Sequence, residues 1–414
     1  MNYETITLPS GLKGVLLPTA SPVVYCGIAV GAGTRNEEKG EEGLAHFCEH
    51  LSFKGTERRS AVQIINALEG IGGELNAFTN KEDTVFYCAV LREHLSRAVD
   101  VLFDIVFHSQ YPQAEVEKES LVVCDEIESY EDSPSELIFD EFEDILFAGH
   151  PLGHNILGSE RQVRGYRSDD ARRFTERWYR PDNCVVFASG DVVISRFQRV
   201  LERADAQLQN TARTKQAAHP AGQPTTAPTR REQHTIIRQK DTHQAHVMLG
   251  TVAYPMGDAR RWSLYLLNNI LGGPGMNSRL NLALRERNAL VYTVESSMVS
   301  YGDTGAWSVY FGCDTHDVKR CLRLVRRELD KLMAKPLTPT QLKAAKQQLR
   351  GQLAIACENR ENFTLDFARN YLHRGEVADL THVMNHVNAL TPADLQAVAR
   401  DVFAEESMQT LIYQ

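Results

Sequence analysis

His46-Phe47-Cys48-Glu49-His50 places two imidazoles and a carboxylate within five residues. On a helix, His46 and His50 are four apart and share one face, with Glu49 beside them. Two imidazoles so spaced can hold one zinc ion, and the carboxylate can take a proton from a water on that ion. The order H-x-x-E-H reverses the commoner H-E-x-x-H. Taken alone, three such residues are also met on ordinary helices with a solvated Glu. The surroundings argue for more. Gly31-Ala32-Gly33-Thr34 and the acidic run Glu37-Glu38-Lys39-Gly40-Glu41-Glu42 come first, and Gly43 then opens an apolar helical pattern of Leu44, Phe47 and Leu51. Strand, loop and helix start are read in that order.

A zinc site needs a third protein ligand and an open position for water. The segment Glu115 to Ile127, EVEKESLVVCDEI, carries Glu119 and Glu126 seven apart, two helical turns on one face. Either carboxylate can reach the histidine helix from there, and helical spacing alone does not choose between them.

These residues resemble the pitrilysin/insulinase family of inverzincin metallopeptidases, in its mitochondrial processing peptidase-like branch. That pattern sets a distal Glu 76 residues after the second His, which here is Glu126. The family's supporting acid, seven earlier, falls on Glu119. Gly43-Leu44-Ala45, Phe53-Lys54-Gly55-Thr56, Leu75-Asn76-Ala77-Phe78-Thr79, Asp132-Ser133-Pro134 and His150-Pro151-Leu152-Gly153 match as well. The likeness runs from about residue 5 to about residue 410. It implies that zinc is held by His46, His50 and Glu126, that Glu49 is the general base, and that Glu119 orients a ligand from behind. Cys48, where many relatives carry an aliphatic residue, is expected simply to pack.

The other half carries Leu284-Arg285-Glu286-Arg287-Asn288-Ala289-Leu290-Val291-Tyr292. Arg285 and Tyr292 are seven apart, as in the family's Arg-Tyr pair. The resemblance implies that they reach the substrate, where a guanidinium and a phenol can donate hydrogen bonds to a developing oxyanion. Without it, they read as a surface Arg and a core-edge Tyr. The preceding Gly272-Gly273-Pro274-Gly275-Met276-Asn277-Ser278-Arg279-Leu280 resembles the family's glycine-rich loop. It lacks the G-x-x-x-x-G-K-[ST] spacing, so nucleotide binding is not expected. The run Glu74 to Thr79 resembles the family's edge strand, where a peptide adds as an extra strand along Asn76 and Ala77.

The chain has 414 residues, enough for two domains, and its 43% hydrophobic content supports sizeable cores. A formal net charge of −9 argues against general nucleic-acid binding. No apolar run approaches a membrane span. The start, MNYETITLPSGLKGVLLP, has neither the basic and apolar regions of a secretory signal nor an Arg-rich transit character, so no targeting segment is expected there. Eight cysteines without a C-x-x-C pair read as reduced core thiols in a cytoplasmic protein.

Residues 207–233, rich in Gln, Thr, Ala and Pro, read as a linker between an N-terminal zinc-binding domain (1–206) and a C-terminal domain of the same fold (234–414). Strands at Val23–Val30, Thr84–Leu91 and 183–189 recur as His246–Thr251, Trp307–Cys313 and Thr410–Tyr413. Helices are expected near 92–108 and 113–148, and again over Arg261–Ile270, Ser278–Arg287, 315–334 and 338–373. Leu266-Leu267-Asn268-Asn269-Ile270 stands about where the first half has its histidines, so only one half can be catalytic. Each half is expected to be α+β, a largely antiparallel sheet with helices packed on one face. Residues 115–146 are strongly acidic, with Lys118 among many Asp and Glu. Ile138, Phe142, Ile145 and Leu146 form a stripe that leaves the acids on a solvated face; the alternative is an acidic chamber wall that draws in basic peptides.

The expected activity is that of a zinc metalloendopeptidase, one Zn2+ per chain, cleaving extended peptides or unfolded segments. Relatives close a chamber from four such domains, which implies a homodimer or a heterodimer with a related subunit lacking zinc ligands. Rival expectations are a non-catalytic assembly subunit of the same fold and a presequence-processing subunit.

Overall fold

The computed structural model describes residues 2–209, 227–240, 242–377 and 379–414. Its strands are β1 Glu4–Thr7, β2 Lys13–Pro18, β3 Val23–Val30, β4 Glu74–Thr79, β5 Thr84–Leu91, β6 Cys184–Gly190, β7 His234–Arg238, β8 Ala245–Ala253, β9 Val291–Ser300, β10 Gly305–Cys313 and β11 Gln409–Tyr413. Its α-helices begin with α1 Leu44–Leu51, α2 Ala61–Glu69, α3 Leu95–Phe107, α4 Gln113–Glu131, α5 Pro134–Leu146, α6 Glu160–Val163 and α7 Ser168–Trp178. They continue with α8 Ile194–Gln209, α9 Arg261–Gly272, α10 Val318–Ala334, α11 Pro339–Ala356, α12 Arg360–Arg374, α13 Leu380–Ala389 and α14 Pro392–Val402.

The chain divides into two compact units, one of Met1–Glu128, His154–Pro224 and Cys357–Ala378, the other of Ser129–Gly153, Thr225–Ala356 and Asp379–Gln414. The first sheet has the order β1-β2-β6-β3-β5-β4, the second β7-β11-β8-β10-β9. With β1 set aside, the two orders are the same in sequence terms: first, last, second, fourth, third. In each, the first and last strands pair in parallel (β2 with β6, β7 with β11) and every other pair is antiparallel. The α+β class with a repeated, largely antiparallel sheet is therefore what the chain adopts.

Strand alternation sorts side chains onto two faces. In the first sheet, Leu16, Cys26, Ile28, Phe86, Cys88 and Val186 point into a core shared with α1 and α3. Their neighbours Val15, Leu17, Ala29, Val85, Val185 and Phe187 form a second cluster, closed by Phe367 and Ala368 of α12. The second unit does the same: Val247, Leu249, Trp307, Val309 and Phe311 pack on one side. Met248, Tyr310, Leu411 and Tyr413 meet Ile138, Phe142 and Leu146 of α5 on the other. Most helices lie on one face of their sheet as expected, and each sheet also carries one helix on its second face. Burying one such Phe stabilises by about 1.5–3 kcal/mol.

These covering helices make the compact units depart from a division at 1–206 and 234–414, because α5 belongs to the second unit and α12 to the first. Of the expected linker, residues 210–226 lie outside the described residues. The single helix expected over 113–148 is two. Pro134 at the start of α5 has no N–H to donate, and it disfavours helical backbone at Ser133, which sits at φ −111°, ψ 81°. The helix expected over 338–373 likewise breaks, with Asn359 capping α12 by accepting from the Asn362 N–H. In place of a helix over 278–287, residues Asn281–Glu286 form a short π-helix. The acids of α5 are partly paired and mostly half-buried: Glu141 accepts from Arg238 and Tyr413, and Glu143 from Tyr301 at 3.1 Å. No described helix is long and apolar enough to cross a membrane.

Candidate metal centre

Helix α1 starts at a residue that must be glycine. Gly43 has φ +89°, and a Cβ there would lie 2.5 Å from the Leu157 carbonyl oxygen. Glu37 then caps the helix from outside. Its carboxylate accepts the N–H of Gly43 at 3.0 Å and of Ala45 at 2.7 Å, and His154 Nε2 lies 2.8 Å away. Burial pushes the Glu37 carboxyl up to about 7, against the opposing pull of His154 and the two backbone donors.

From that start, His46 and His50 emerge on one face with ring centroids 4.5 Å apart. Cys48 points the other way, fully buried, its Sγ 3.9 Å from the Ala171 carbonyl oxygen, and burial pushes its thiol well up. It packs and takes no part in the site. Helix α4 brings Glu126 to the histidines, its Oε2 3.9 Å from His46 Nε2 and 3.5 Å from His50 Nε2. Two turns further back along the same face, Glu119 lies 3.0 Å from His50 Nδ1 and 2.6 Å from Lys54 Nζ. Glu126 approaches both imidazoles, and Glu119 sits behind one of them; the ligand atoms of His46, His50 and Glu126 lie close enough together to hold one metal ion.

The donor set suits zinc. A tetrahedral ion with bonds near 2.0–2.1 Å separates its ligands by about 3.4 Å, close to the spacings seen. Burial, and then the nearby His50, lower the His46 pKa to about 3, so that imidazole is neutral and keeps a lone pair for a metal. Its Nδ1 is buried with no hydrogen-bond partner among the described residues, so packing alone orients that ring. Burial would lower the His50 pKa too, but the hydrogen bond to Glu119 and the charges of Glu49 and Glu126 outweigh it and raise it. That response marks a spot where three carboxylates favour a positive charge. Glu49 is buried, its Oε2 accepting from Thr79 Oγ1 at 2.7 Å, and burial raises its pKa against that hydrogen bond.

Thr79 ends β4, which pairs with β5 alone and so is a sheet edge. Asn76 and Ala77 lie on this strand, opposite Tyr87 and Phe86. In the second unit, Arg285 lies in the π-helix and Tyr292 near the start of the edge strand β9. The guanidinium carbon of Arg285 is 5.6 Å from the centre of the Tyr292 ring, which is 81% exposed. Both line a polar cavity of about 530 Å³ with Asn268, Asn269, Gly273 and Ser296. Thr79, Lys54 and the Glu37–His154 pair were not singled out by the motif's spacing, although the first two stand inside the flanking matches.

A helix pair whose side chains could hold a metal ion, in a chain of two like sheets, defines a class, and comparison with known proteins names it. Residues 15–160 match the family model of the insulinases, peptidase family M16, and residues 167–349 match that of the peptidase M16 inactive domain. A Bacillus subtilis protein named uncharacterized zinc protease YmxG is 33% identical over 98% of this chain and 97% of its own. A Streptomyces coelicolor protein, also named an uncharacterized zinc protease, is 35% identical over 98% of this chain and 88% of its own. Among solved structures, a protease from Helicobacter pylori superposes with a TM-score of 0.92 at 23% identity, covering 100% of this chain and 99% of that one. A peptidase M16 inactive domain from Pseudomonas fluorescens superposes with a TM-score of 0.90 at 18% identity, covering 100% and 98%. The chain belongs to the pitrilysin/insulinase family, peptidase family M16.

Proposed function

We propose that this chain is a zinc metalloendopeptidase, holding one Zn2+ through His46, His50 and Glu126. The observation that carries the reading is the approach of Glu126 Oε2 to both imidazole Nε2 atoms, with the buried Glu49 one residue from a ligand. Names given to the full-length relatives support it. Bound zinc supplies Lewis acidity, acidifying water and polarising a carbonyl.

The residues of the chain do the rest. Glu49, its pKa raised by burial, takes the proton from the attacking water and returns it to the leaving amine nitrogen. Glu119 accepts from His50 Nδ1, which presents Nε2 to the metal. Arg285 and Tyr292 donate to the oxyanion, a role that rests on the family resemblance. The free side of β4 takes an extended peptide as an added strand along Asn76 and Ala77, which selects unfolded segments over folded proteins. Since Thr79 closes that strand and bonds Glu49, an added peptide runs toward the base. The two-domain chain works as a dimer, with a second copy or with a related subunit lacking zinc ligands. Its cysteines are free thiols, which suits a reducing compartment such as the cytoplasm.

The test is Glu49→Gln in the full chain, assayed on an unstructured peptide with zinc content measured in parallel. Cleavage is expected to vanish while about one zinc per chain remains, as the three-ligand site requires. Undiminished turnover would sink the assignment. A chain that holds no zinc and cleaves nothing would be an assembly subunit instead.

A further inference from the structure

Away from the first unit's histidines, α13 carries a second pair at the same spacing. His382 and His386 are four apart, and their ring centroids are 4.5 Å apart, equal to the separation of His46 and His50. The helix is anchored at its start, where Asp379 Oδ1 accepts the His382 N–H at 2.7 Å. His386 Nδ1 lies 3.0 Å from the His382 carbonyl oxygen. A carbonyl only accepts, so Nδ1 carries the proton and the lone pair is on Nε2. A histidine that gives its other N–H to a backbone carbonyl is in the form that binds metals. His386 is exposed, with its ring stacked on Trp262 of α9 at 4.9 Å and an interplanar angle of 25°.

We propose that His382 and His386 form a surface chelate for a divalent d-block cation of the kind imidazole prefers, such as Cu2+, Ni2+ or Zn2+. Two imidazoles four apart on a helix close around one ion, and water fills its remaining positions. No carboxylate joins these rings to make a closed, four-ligand site among the described residues. The guanidinium of Arg261, its carbon 4.1 Å from the Trp262 ring centre, adds a positive charge nearby. Both facts make the chelate looser than a structural zinc site, so it loads after the first unit's site and empties first. The inference does not depend on what the His46 site does, since its ligands lie on other elements.

Trp262 makes the site visible. Bound Cu2+ quenches a nearby indole, and Trp262 is one of three tryptophans in the chain. Cu2+ alone is titrated into the full chain while tryptophan fluorescence is followed. The wild type should show saturable quenching. The double variant His46→Ala/His50→Ala should keep that response. His386→Ala and His382→Ala should each move its midpoint up by about tenfold or more, as a two-point chelate becomes a single contact. Trp262→Phe should remove most of the signal while calorimetry still registers binding. Quenching that is unchanged in both His382→Ala and His386→Ala, or that disappears with His46 and His50, would overturn the proposal. So would a wild type with no saturable response. His386 is exposed and His382 only half-buried, and His386→Asn with unchanged circular dichroism serves as the check that the helix is intact.

Discussion

Thr79 Oγ1 donates a hydrogen bond to Glu49 Oε2 at 2.7 Å, joining the end of an edge strand to the carboxylate placed beside the metal ligands. Both groups are buried, so losing the donor leaves an acceptor unsatisfied where water does not replace it, at a cost of about 1–3 kcal/mol. Thr79→Val keeps the shape and removes the donor. Its kcat should fall by about tenfold, with KM and zinc content near the wild-type values. Steady-state kinetics with metal analysis checks this. A variant with normal kcat would show that Glu49 needs no such anchor.

Glu119 joins His50 to Lys54, at 3.0 and 2.6 Å. Burial favours its neutral form, but the His50 hydrogen bond and the Lys54 contacts outweigh it and hold the carboxyl below the usual range. It is therefore an anion against His50. Glu119→Gln keeps an acceptor and removes the charge, which should weaken zinc by about 10–100-fold. Competition with a chelator measures this directly. The loss should exceed that of Glu49→Gln, because Glu49 is the base and not a ligand's partner.

Much of the candidate site is legible in the sequence. The spacing of His46, Glu49 and His50 sets their common face, and the resemblance picked Glu126 over Glu119, a choice that helical periodicity alone left open. The stripe on α5 shows that this helix packs, but amphipathicity does not say on which sheet, so the exchange of covering helices was hidden. Pro134 signalled the break between α4 and α5, yet the acidic run reads through it. Thr79 meets Glu49 across 30 residues of chain, and His154 meets Glu37 across 117. Nothing periodic links such positions. Glu37 in particular reads as one more acid in a solvated run, whereas folding buries it as a helix cap.

That cap has a pH signature. The Glu37 carboxyl is pushed up to about 7 by burial, above the ordinary value near 4.5 that an unfolded chain shows. A raised pKa means that the folded state holds the proton over a range where the unfolded state has released it. The group's contribution is thus fully present below about pH 4.5 and is lost as the pH rises through about 7. Glu37→Gln cannot titrate. The stability of the wild type relative to Glu37→Gln should therefore fall between pH 5 and pH 7, as followed by thermal melting at each pH. A flat difference across that window would mean that Glu37 is ionised in the fold throughout.

Asp83 fastens α12 to the first sheet's turn between β4 and β5. Its carboxylate is 1% exposed and meets Arg369 Nε at 2.9 Å, His373 Nε2 at 2.9 Å and Asn80 Nδ2 at 2.8 Å. Burial alone would raise its pKa, but His373, Arg369 and Asn80 outweigh it and lower the pKa. The stabilisation is accordingly present above the ordinary Asp range and fades as the pH falls through the depressed value. Removing one partner of a buried pair costs about 3–5 kcal/mol, and less where the other end reaches solvent as Arg369 does. Asp83→Ala should therefore cost on the order of 2 kcal/mol, concentrated in α12. Hydrogen exchange reads this locally: amides of Arg360–Arg374 should exchange faster in the variant, while those of β3 and β6 change little. Uniform acceleration across the unit would show that the cluster supports the whole core and not the covering helix alone.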